Sequence, residues 1–230
     1  MDIHNIEPLF SRECTDFDNK VGRALKMTGM FAFDIGACFG KHIPDLLSRF
    51  AKVYAFEPVP NNFEELSKIK NDRLEIFRLA LSDKPGKLEK VNVFNTWSLL
   101  PDDSKVADRA LDYAGSNAFD CPVTSLDAFC KDYFFPDFIK IDVDGFEPLV
   151  LEGGRKTLAK AKCPIFIEYS YLPERFFGYP KERFVNLIYE LGYKAYSQDG
   201  EYCAETPEDM LACYPHHTSY DIVLLHNDFQ

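Results

Sequence analysis

Short apolar runs recur along the chain and alternate with stretches whose apolar positions are three and four residues apart. A short apolar run bounded by turn residues is typical of a strand buried on both faces, whereas the three-and-four spacing predicts a helix. We therefore expect strands at these places: 30–35, 52–58, 73–81, 87–94, 137–142, 164–170, just after Gly192, and 219–228.

Helical segments separate these strands. Helical spacing follows the first strand at Ile43, Leu46, Leu47 and Phe50, and 61–69, 147–161 and the stretch before Gly192 also predict helices. Strands that alternate with helices predict an α/β fold, in which a mostly parallel sheet carries helices on both faces.

Composition and charge narrow the class of protein. Hydrophobic residues make up 46% of the 230 positions, which is enough for a single domain with a full core. The formal net charge of −11 argues against general binding to nucleic acid or to a membrane surface, and no apolar run is long enough to cross a membrane. Seven scattered cysteines without a CxxC pair, and an N-terminus without a signal-like apolar region, predict free thiols in the cytoplasm.

The stretch FAFDIGACFGKH, at 31–42, is an apolar run that ends at an acid and turns through two glycines into a helix. Such strand–turn–helix units hold ligands at the carboxyl edge of an open parallel sheet. The spacing Asp34-x-Gly36-x-x-x-Gly40 is neither the dinucleotide fingerprint GxGxxG nor a P-loop, because Cys38 replaces the middle glycine and no GK[ST] follows. The turn thus predicts a ligand without a pyrophosphate, or a tight turn with no ligand.

An acid at the end of the second strand narrows the choice of ligand. Glu57 lies 21 residues beyond Gly36 (57 − 36), about where these folds place a carboxylate for ribose hydroxyls. A ligand with an amino-acid end and an adenosine end suits Asp34, the glycines and Glu57 together, and S-adenosyl-L-methionine has both ends. The alternative for Glu57 is a solvated acid before a proline turn.

Several motifs occur in order and together resemble the FkbM-type methyltransferases of the class I S-adenosylmethionine-dependent superfamily. They are FDIGACFG, VYAFEPVPNNFEEL, LALSDKPG, VTSLDAF, DFIKIDVDGFEPLVLEGG and IFIEYS. The resemblance runs from about Phe31 to Tyr171, and the block IKIDVDGFE…LEGG is its most specific part. Cys38 and Asp144 depart from it, since the family commonly has Asn and Glu there.

The resemblance implies a single Rossmann-like, doubly wound domain over 1–230, with a mostly parallel seven-stranded sheet whose last strand is antiparallel. It implies methyl transfer to a hydroxyl of a sugar or another small molecule. Substrate choice would lie in the least similar segments: the helical lead-in 1–28, 95–120 and 172–218. The implied cofactor-binding residues are Asp34, Gly36, Ala37, Gly40, Glu57, Pro58, Ala80, Leu81, Ser82 and Asp142.

Charged residues in the second half suggest the catalytic chemistry. Lys140 lies on one face of a buried strand with Asp142, and an unpaired buried charge is costly, so we expect Lys140 to pair with Glu168 of the neighbouring strand. A hydroxyl acceptor needs a base to take its proton, and the candidates are Asp142, Glu168 and a histidine, of which His42 opens the helix after the glycine turn.

Three alternatives stay open at this stage. Asp142, Asp144, Glu147 and Glu168 offer oxygen ligands for Mg²⁺, as in a metal-dependent O-methyltransferase, although acids at 144 and 147 also suit a turn and a helix start. The second alternative is a non-catalytic module that binds the cofactor or a nucleotide. A dinucleotide oxidoreductase is disfavoured by the missing GxGxxG.

Overall fold

The computed structural model describes residues 20–86, 88–94, 97–99, 118–131, 134–214 and 219–229. Much of the predicted substrate segments 1–28 and 95–120 lies outside these ranges. The helices are α1 (Lys20–Lys26), α2 (Ile43–Arg49), α3 (Pro60–Leu66), α4 (Leu126–Cys130), α5 (Glu147–Glu152), α6 (Arg155–Ala161), α7 (Leu172–Phe177), α8 (Lys181–Glu190) and α9 (Pro207–Cys213). The strands are β1 (Gly29–Ile35), β2 (Phe50–Phe56), β3 (Leu74–Phe77), β4 (Ala80–Leu81), β5 (Leu88–Phe94), β6 (Trp97–Leu99), β7 (Ala118–Thr124), β8 (Phe138–Ile141), β9 (Ile165–Tyr169), β10 (Tyr193–Ser197), β11 (Cys203–Ala204) and β12 (Tyr220–His226).

The main sheet has the order β11-β10-β12-β9-β8-β1-β2-β3. Strands β3, β2, β1, β8 and β9 pair in parallel, and β12 is antiparallel to both β9 and β10. This confirms the mostly parallel α/β sheet and its antiparallel last strand. The short β11, which pairs with β10, adds an eighth strand to the seven that were expected.

A second, four-stranded sheet has the order β4-β7-β5-β6. The predicted strand over 73–81 is wrong in one respect: it is broken after Phe77, and Ala80–Leu81 leave the main sheet to pair with β7. Apolar residues continue through the break, since Ile76 and Phe77 are half-buried and Ala80 and Leu81 are buried, so the pattern does not mark the turn. The predicted strand at 87–94 is present as β5, in this second sheet.

The two faces of the main sheet pack against separate cores. Phe33 and Ile35 of β1 belong to one cluster, and Ala32, just before them, belongs to the other. In β8, Ile139 and Phe138 divide in the same way. Coverage of both faces is the reason these strands are continuous apolar runs rather than alternating ones.

The parallel strands end together at one edge of the sheet, and this edge positions the candidate site. In the register of β1 and β8, Asp34 lies beside Lys140. On the other side of β8, Ile141 lies beside Ile167 of β9. Turns that follow β1, β2, β8 and β9 therefore meet above this edge. Among the described residues, the helices are all too short or too polar to cross a membrane.

Candidate active site

The glycine turn after β1 is tied to the end of β2. The Phe56 carbonyl oxygen accepts hydrogen bonds from the backbone N–H groups of Gly36 and Ala37, both at 3.0 Å. Gly36 has φ +81°, and a Cβ atom there would overlap the carbonyl oxygen of Asp142. Only glycine satisfies both the backbone conformation and this close approach of the turns after β1 and β8.

Gly40 closes the turn for a different reason. Its φ is +80°, and a Cβ atom would lie 2.6 Å from Cδ1 of Ile69 and 2.7 Å from Cδ1 of Leu66. Cys38, between the two glycines, also has a positive φ, of 49°. The left-handed conformation is unfavourable for most side chains and tolerated by Asn, so Cys38 holds local backbone strain in the turn.

Glu57, the predicted ribose ligand, is buried, with 3% of its surface exposed. Its Oε2 accepts from the Cys38 backbone N–H at 2.8 Å, and its Oε1 accepts from the Val59 N–H at 2.8 Å and from Asn62 Nδ2 at 3.4 Å. Burial raises the pKa of Glu57, and the hydrogen bonds from Val59 and Cys38 oppose that rise. Glu57 therefore organises the turns after β1 and β2, a role that sequence reasoning did not include.

Lys140 does not pair with Glu168, so that prediction is wrong. Its Nζ lies 3.2 Å from Oδ1 of Asp34 and 3.5 Å from Oδ2 of Asp142, and it donates to the Gly36 carbonyl oxygen at 2.8 Å. Burial acts to lower the pKa of Lys140, but the carboxylates of Asp34 and Asp142 outweigh that effect and raise it. Lys140 is a permanent cation beneath the glycine turn. The prediction failed because it searched β9, whereas the partner Asp34 lies on β1.

Asp34 retains unused capacity for hydrogen bonds. The side chain is fully buried, and neither carboxylate oxygen has a well-aligned hydrogen bond among the described residues; the contact with Lys140 is an ion pair. A buried carboxylate normally finds partners for its oxygens. The orphaned Oδ2 of Asp34 is therefore suited to accept from an ammonium or hydroxyl group of a ligand.

His42 is the cap residue at the N-terminus of α2, as its place after the turn predicted. Its Nδ1 is buried without a hydrogen-bond partner in the described part of the chain. Burial lowers the pKa of His42, and Lys140 lowers it further, while Asp34 and Asp142 act in the opposite direction. The imidazole is thus neutral at pH 7 and lies within the electrostatic reach of the Lys140 trio (Asp34, Lys140 and Asp142).

Asp142 directly follows β8, and Glu168 lies within the last residues of β9. The Asp142 side chain is 46% exposed, which makes it the open member of the Lys140 trio. Oε2 of Glu168 is buried and has no hydrogen-bond partner among the residues that the structure describes, and burial, followed by the charge of Asp142, raises the pKa of Glu168 to about 7. Both acids lie near the edge of the sheet where the parallel strands end.

Sequence reasoning placed Glu147 at a helix start, or as a metal ligand in the alternative, and missed Asp221. Glu147 begins α5 as expected, but it is completely buried, and burial together with Glu168 raises its pKa well above the ordinary value. Asp221 lies directly beside Glu168 in the register of β12 and β9. The one signal for Asp221 was an acid near the start of the last apolar run, and the run alone does not give the register.

The residues predicted to lie near the adenine form a buried wall. Ala80, Leu81 and Ser82 are 8%, 4% and 5% exposed, and Pro58 is buried beside Glu57. The Ser82 N–H donates to Thr124 at 2.9 Å, and Gly153 at the end of α5 packs against the Ser82 carbonyl. Their contact with an adenine stays a prediction.

The acids of this edge do not form a metal centre within the described residues. No group of three or more His, Cys, Asp or Glu side chains there is arranged to hold a metal ion. The cysteine nearest to the site is also unsuited to bind a metal or to act as a nucleophile, because both roles need the thiolate form. Burial raises the pKa of Cys38 to about 11, with Glu57 adding to the rise, and the six cysteines in the described ranges are all unpaired.

A family model described as the methyltransferase FkbM domain matches residues 34–195, which is more than half of the chain. That span begins at Asp34 and contains the glycine turn, Glu57, the Lys140 trio and Glu168. A search of curated proteins finds no match.

Solved structures with similar folds include methyltransferases. One is the methyltransferase FkbM from Methylobacillus flagellatus KT, at 16% identity and a TM-score of 0.49, over 86% of this chain and 44% of that one. The chain thus spans less than half the length of that protein. Another is precorrin-6y C5,15-methyltransferase from Geobacter metallireducens GS-15, at 13% identity and a TM-score of 0.46, over 95% of this chain and 92% of that one. These likenesses carry no argument about the acceptor.

Proposed function

We propose that this chain, which belongs to the FkbM methyltransferase family, transfers a methyl group from S-adenosyl-L-methionine to a hydroxyl oxygen of a sugar or glycan. The observation that carries the proposal is the Lys140 trio at the carboxyl ends of β1 and β8. It combines a buried, orphaned carboxylate with an open one, directly below a turn that only glycine can form.

The cofactor fits the residues of this edge. Among the described residues, Oδ2 of Asp34 has no hydrogen-bond partner and would accept from the ammonium group. Glu57 would accept from ribose hydroxyls through lone pairs that its backbone donors leave unused, because each carboxylate oxygen has two. When bound, S-adenosyl-L-methionine supplies an electrophilic methyl group on a cationic sulfonium.

The protein's own part in the chemistry is positioning and proton removal. A sugar hydroxyl is a weak nucleophile, so a group of the protein must take its proton as the new bond forms. Asp142 is the best-placed base, because it is exposed and its negative charge is held in place by Lys140. His42 is the second candidate, since its buried imidazole is neutral and has a free ring nitrogen.

The charge balance of the trio also suits the reaction. One lysine and two aspartates carry a net charge of −1, which favours a cation with a single positive charge. When the methyl group leaves, that positive charge is lost, and Lys140 prevents the two carboxylates from repelling one another. The trio thus attracts the cationic cofactor, and only one uncompensated negative charge is left beside the uncharged sulfur after transfer.

The proposal is tested by following the conversion of the cofactor to S-adenosylhomocysteine with a panel of sugar and small-alcohol acceptors. We expect Asp142→Asn to lower turnover by at least about 100-fold, the size typical of general base catalysis, while cofactor affinity changes little. EDTA should have no effect; loss of activity in EDTA would support the metal-dependent alternative. Cofactor binding without methylation of any hydroxyl would support a non-catalytic module and contradict the proposal.

A further inference from the structure

Three acids form a continuous line across neighbouring strands of the main sheet. Asp221 of β12 pairs in register with Glu168 of β9. On the other side, Ile141 of β8 pairs with Ile167, so the next residue, Asp142, comes opposite Glu168. We call Asp142, Glu168 and Asp221 the carboxylate row. Like charges directly opposite one another on adjacent strands are destabilising, so a fold gains nothing from this arrangement alone.

The acids of the row oppose one another's ionisation. Glu168 has its pKa raised to about 7 by burial, Asp142 and Asp221, against opposing effects of Ser219 and Lys140. Neighbouring protein atoms partly remove Asp221 from water, and this burial, followed by the charge of Asp142, raises its pKa. The residue still has an exposed surface. Lys140, which pairs with Asp142, makes no salt bridge to either of the other two in the described part of the chain.

A fourth carboxyl group adds a second and independent signal. Glu147 has no exposed surface, and its Oε1 accepts from the backbone N–H groups of Val143 at 2.9 Å and Gly145 at 3.2 Å. Its Oε2 is buried without a hydrogen-bond partner among the described residues. The charged neighbour that acts on Glu147 most strongly is Glu168, so this orphaned oxygen belongs to the surroundings of the row.

We infer that the carboxylate row recognises a positively charged amino group of the acceptor, so that the substrate is an amine-bearing sugar or polyol. This inference rests on the proposed function. The Lys140 trio has a net charge of −1, which the sulfonium of the cofactor balances, and Glu168 and Asp221 then remain for the acceptor. An ammonium group offers three donors, and the buried Oε2 of Glu168 has no hydrogen-bond partner among the described residues.

The spacing of the row favours an organic cation over a metal ion. Adjacent strands lie about 4.8 Å apart, so three acids in line extend over roughly 10 Å. A divalent metal needs its oxygen ligands within about 2.6 Å of one point. The absence of a metal-competent cluster among the described residues agrees with this geometry. The exposed Asp221 lies beside the partly buried Glu168, and both are available to a ligand with several donors.

The test uses the full chain loaded with S-adenosylhomocysteine and a defined probe, the aminoglycoside kanamycin A, with its fully N-acetylated form as the neutral counterpart. Calorimetry should give at least tenfold tighter binding of the free amine. Asp221→Asn should weaken that binding at least fivefold and leave the affinity for S-adenosylhomocysteine unchanged. The pKa of Glu168 is raised to about 7, so this carboxyl group is partly protonated near pH 7. A bound ammonium should expel that proton to the buffer, and the binding enthalpy should therefore depend on the ionisation enthalpy of the buffer.

Glu190→Gln is the matched control for net charge. Glu190 ends α8 just before Tyr193, which pairs with His226 at the opposite edge of the sheet. Removing its charge should alter kanamycin affinity by less than twofold. Equal binding of the two probe forms, binding of neither form, or equal effects of Glu190→Gln and Asp221→Asn would each overturn the inference. Failure of S-adenosylhomocysteine itself to bind would instead refute the proposed function.

Discussion

The Glu57 carboxylate accepts a 2.8 Å hydrogen bond from the backbone N–H of Cys38 and thereby joins the turn after β2 to the turn after β1. Both turns border the proposed cofactor site. The acid at the end of β2 is therefore part of the architecture of the glycine turn as well as a candidate ligand. Substitutions at Glu57 should reveal both roles.

Glu57→Ala should weaken S-adenosyl-L-methionine binding by at least about tenfold, because it removes an acceptor for the ribose and a charge-assisted hydrogen bond that orders the turn. Glu57→Gln should be almost as harmful, since its amide group presents a donor to either the Cys38 or the Val59 N–H. Titration calorimetry measures both. Wild-type affinity in Glu57→Ala would remove the ribose assignment.

Cys38→Asn should raise the stability of the fold. Cys38 has φ +49°, a conformation that costs most residues roughly 1–2 kcal/mol and that Asn tolerates. We expect a gain of about 0.5–1 kcal/mol, seen as a thermal midpoint higher by about 1–4 °C. Cys213→Ser, at an exposed cysteine, should leave the midpoint nearly unchanged. A lower midpoint for Cys38→Asn would show that the side chain, and not the backbone, decides this position.

Lys140→Met should destabilise the protein by about 3–5 kcal/mol, because it leaves the fully buried Asp34 without its cation. The double variant Asp34→Asn with Lys140→Met should recover much of that loss, since the buried charge is then removed as well. Urea unfolding gives the free energies. If the double variant is as unstable as the sum of the two single variants, the pair is not coupled as the distances indicate.

Glu168→Gln should stabilise the protein at alkaline pH but not at acidic pH. The pKa of Glu168 is raised from 4.5 to about 7, so the folded state keeps a proton that the unfolded chain releases. This contribution to stability is complete below pH 4.5 and is lost as the pH rises through 7. Gln cannot lose that proton, and we expect the variant to gain about 1–2 kcal/mol over wild type at pH 8.5 relative to pH 4.5.

Several neighbouring groups act on the ionisation of Glu168. Asp142, Asp221 and Glu147 oppose its ionisation, whereas Lys140 and Ser219 favour it. Thermal midpoints of wild type and variant across this pH range are the measurement. Two curves that stay parallel would mean that Glu168 ionises normally in the folded protein.

The fold was predictable because its signals are local. Apolar runs buried on both faces gave the strands of the parallel sheet, and Asp34, Gly36 and Gly40 marked the turn after β1. The break between Phe77 and Ala80 was not predictable, because the half-buried Ile76 and Phe77 and the buried Ala80 and Leu81 are all apolar.

The grouping of the candidate site residues was predictable, but their pairing was not. The structure brings Asp34, Glu57, Lys140 and Asp142 to one edge of the sheet, and their roles stay predictions. The partner of Lys140 depends on strand order, which places β1 beside β8. Asp221 depends on the register of β12, which no local pattern encodes.

The central claim is that the glycine turn and Glu57 bind S-adenosyl-L-methionine, and calorimetric titration tests it most directly. Wild-type protein should be titrated with S-adenosyl-L-methionine and, separately, with NADH, each with and without EDTA. We expect binding of S-adenosyl-L-methionine alone, unaffected by EDTA. Absence of that binding, or preference for NADH, would contradict the account of the glycine turn and the enzymatic function built on it.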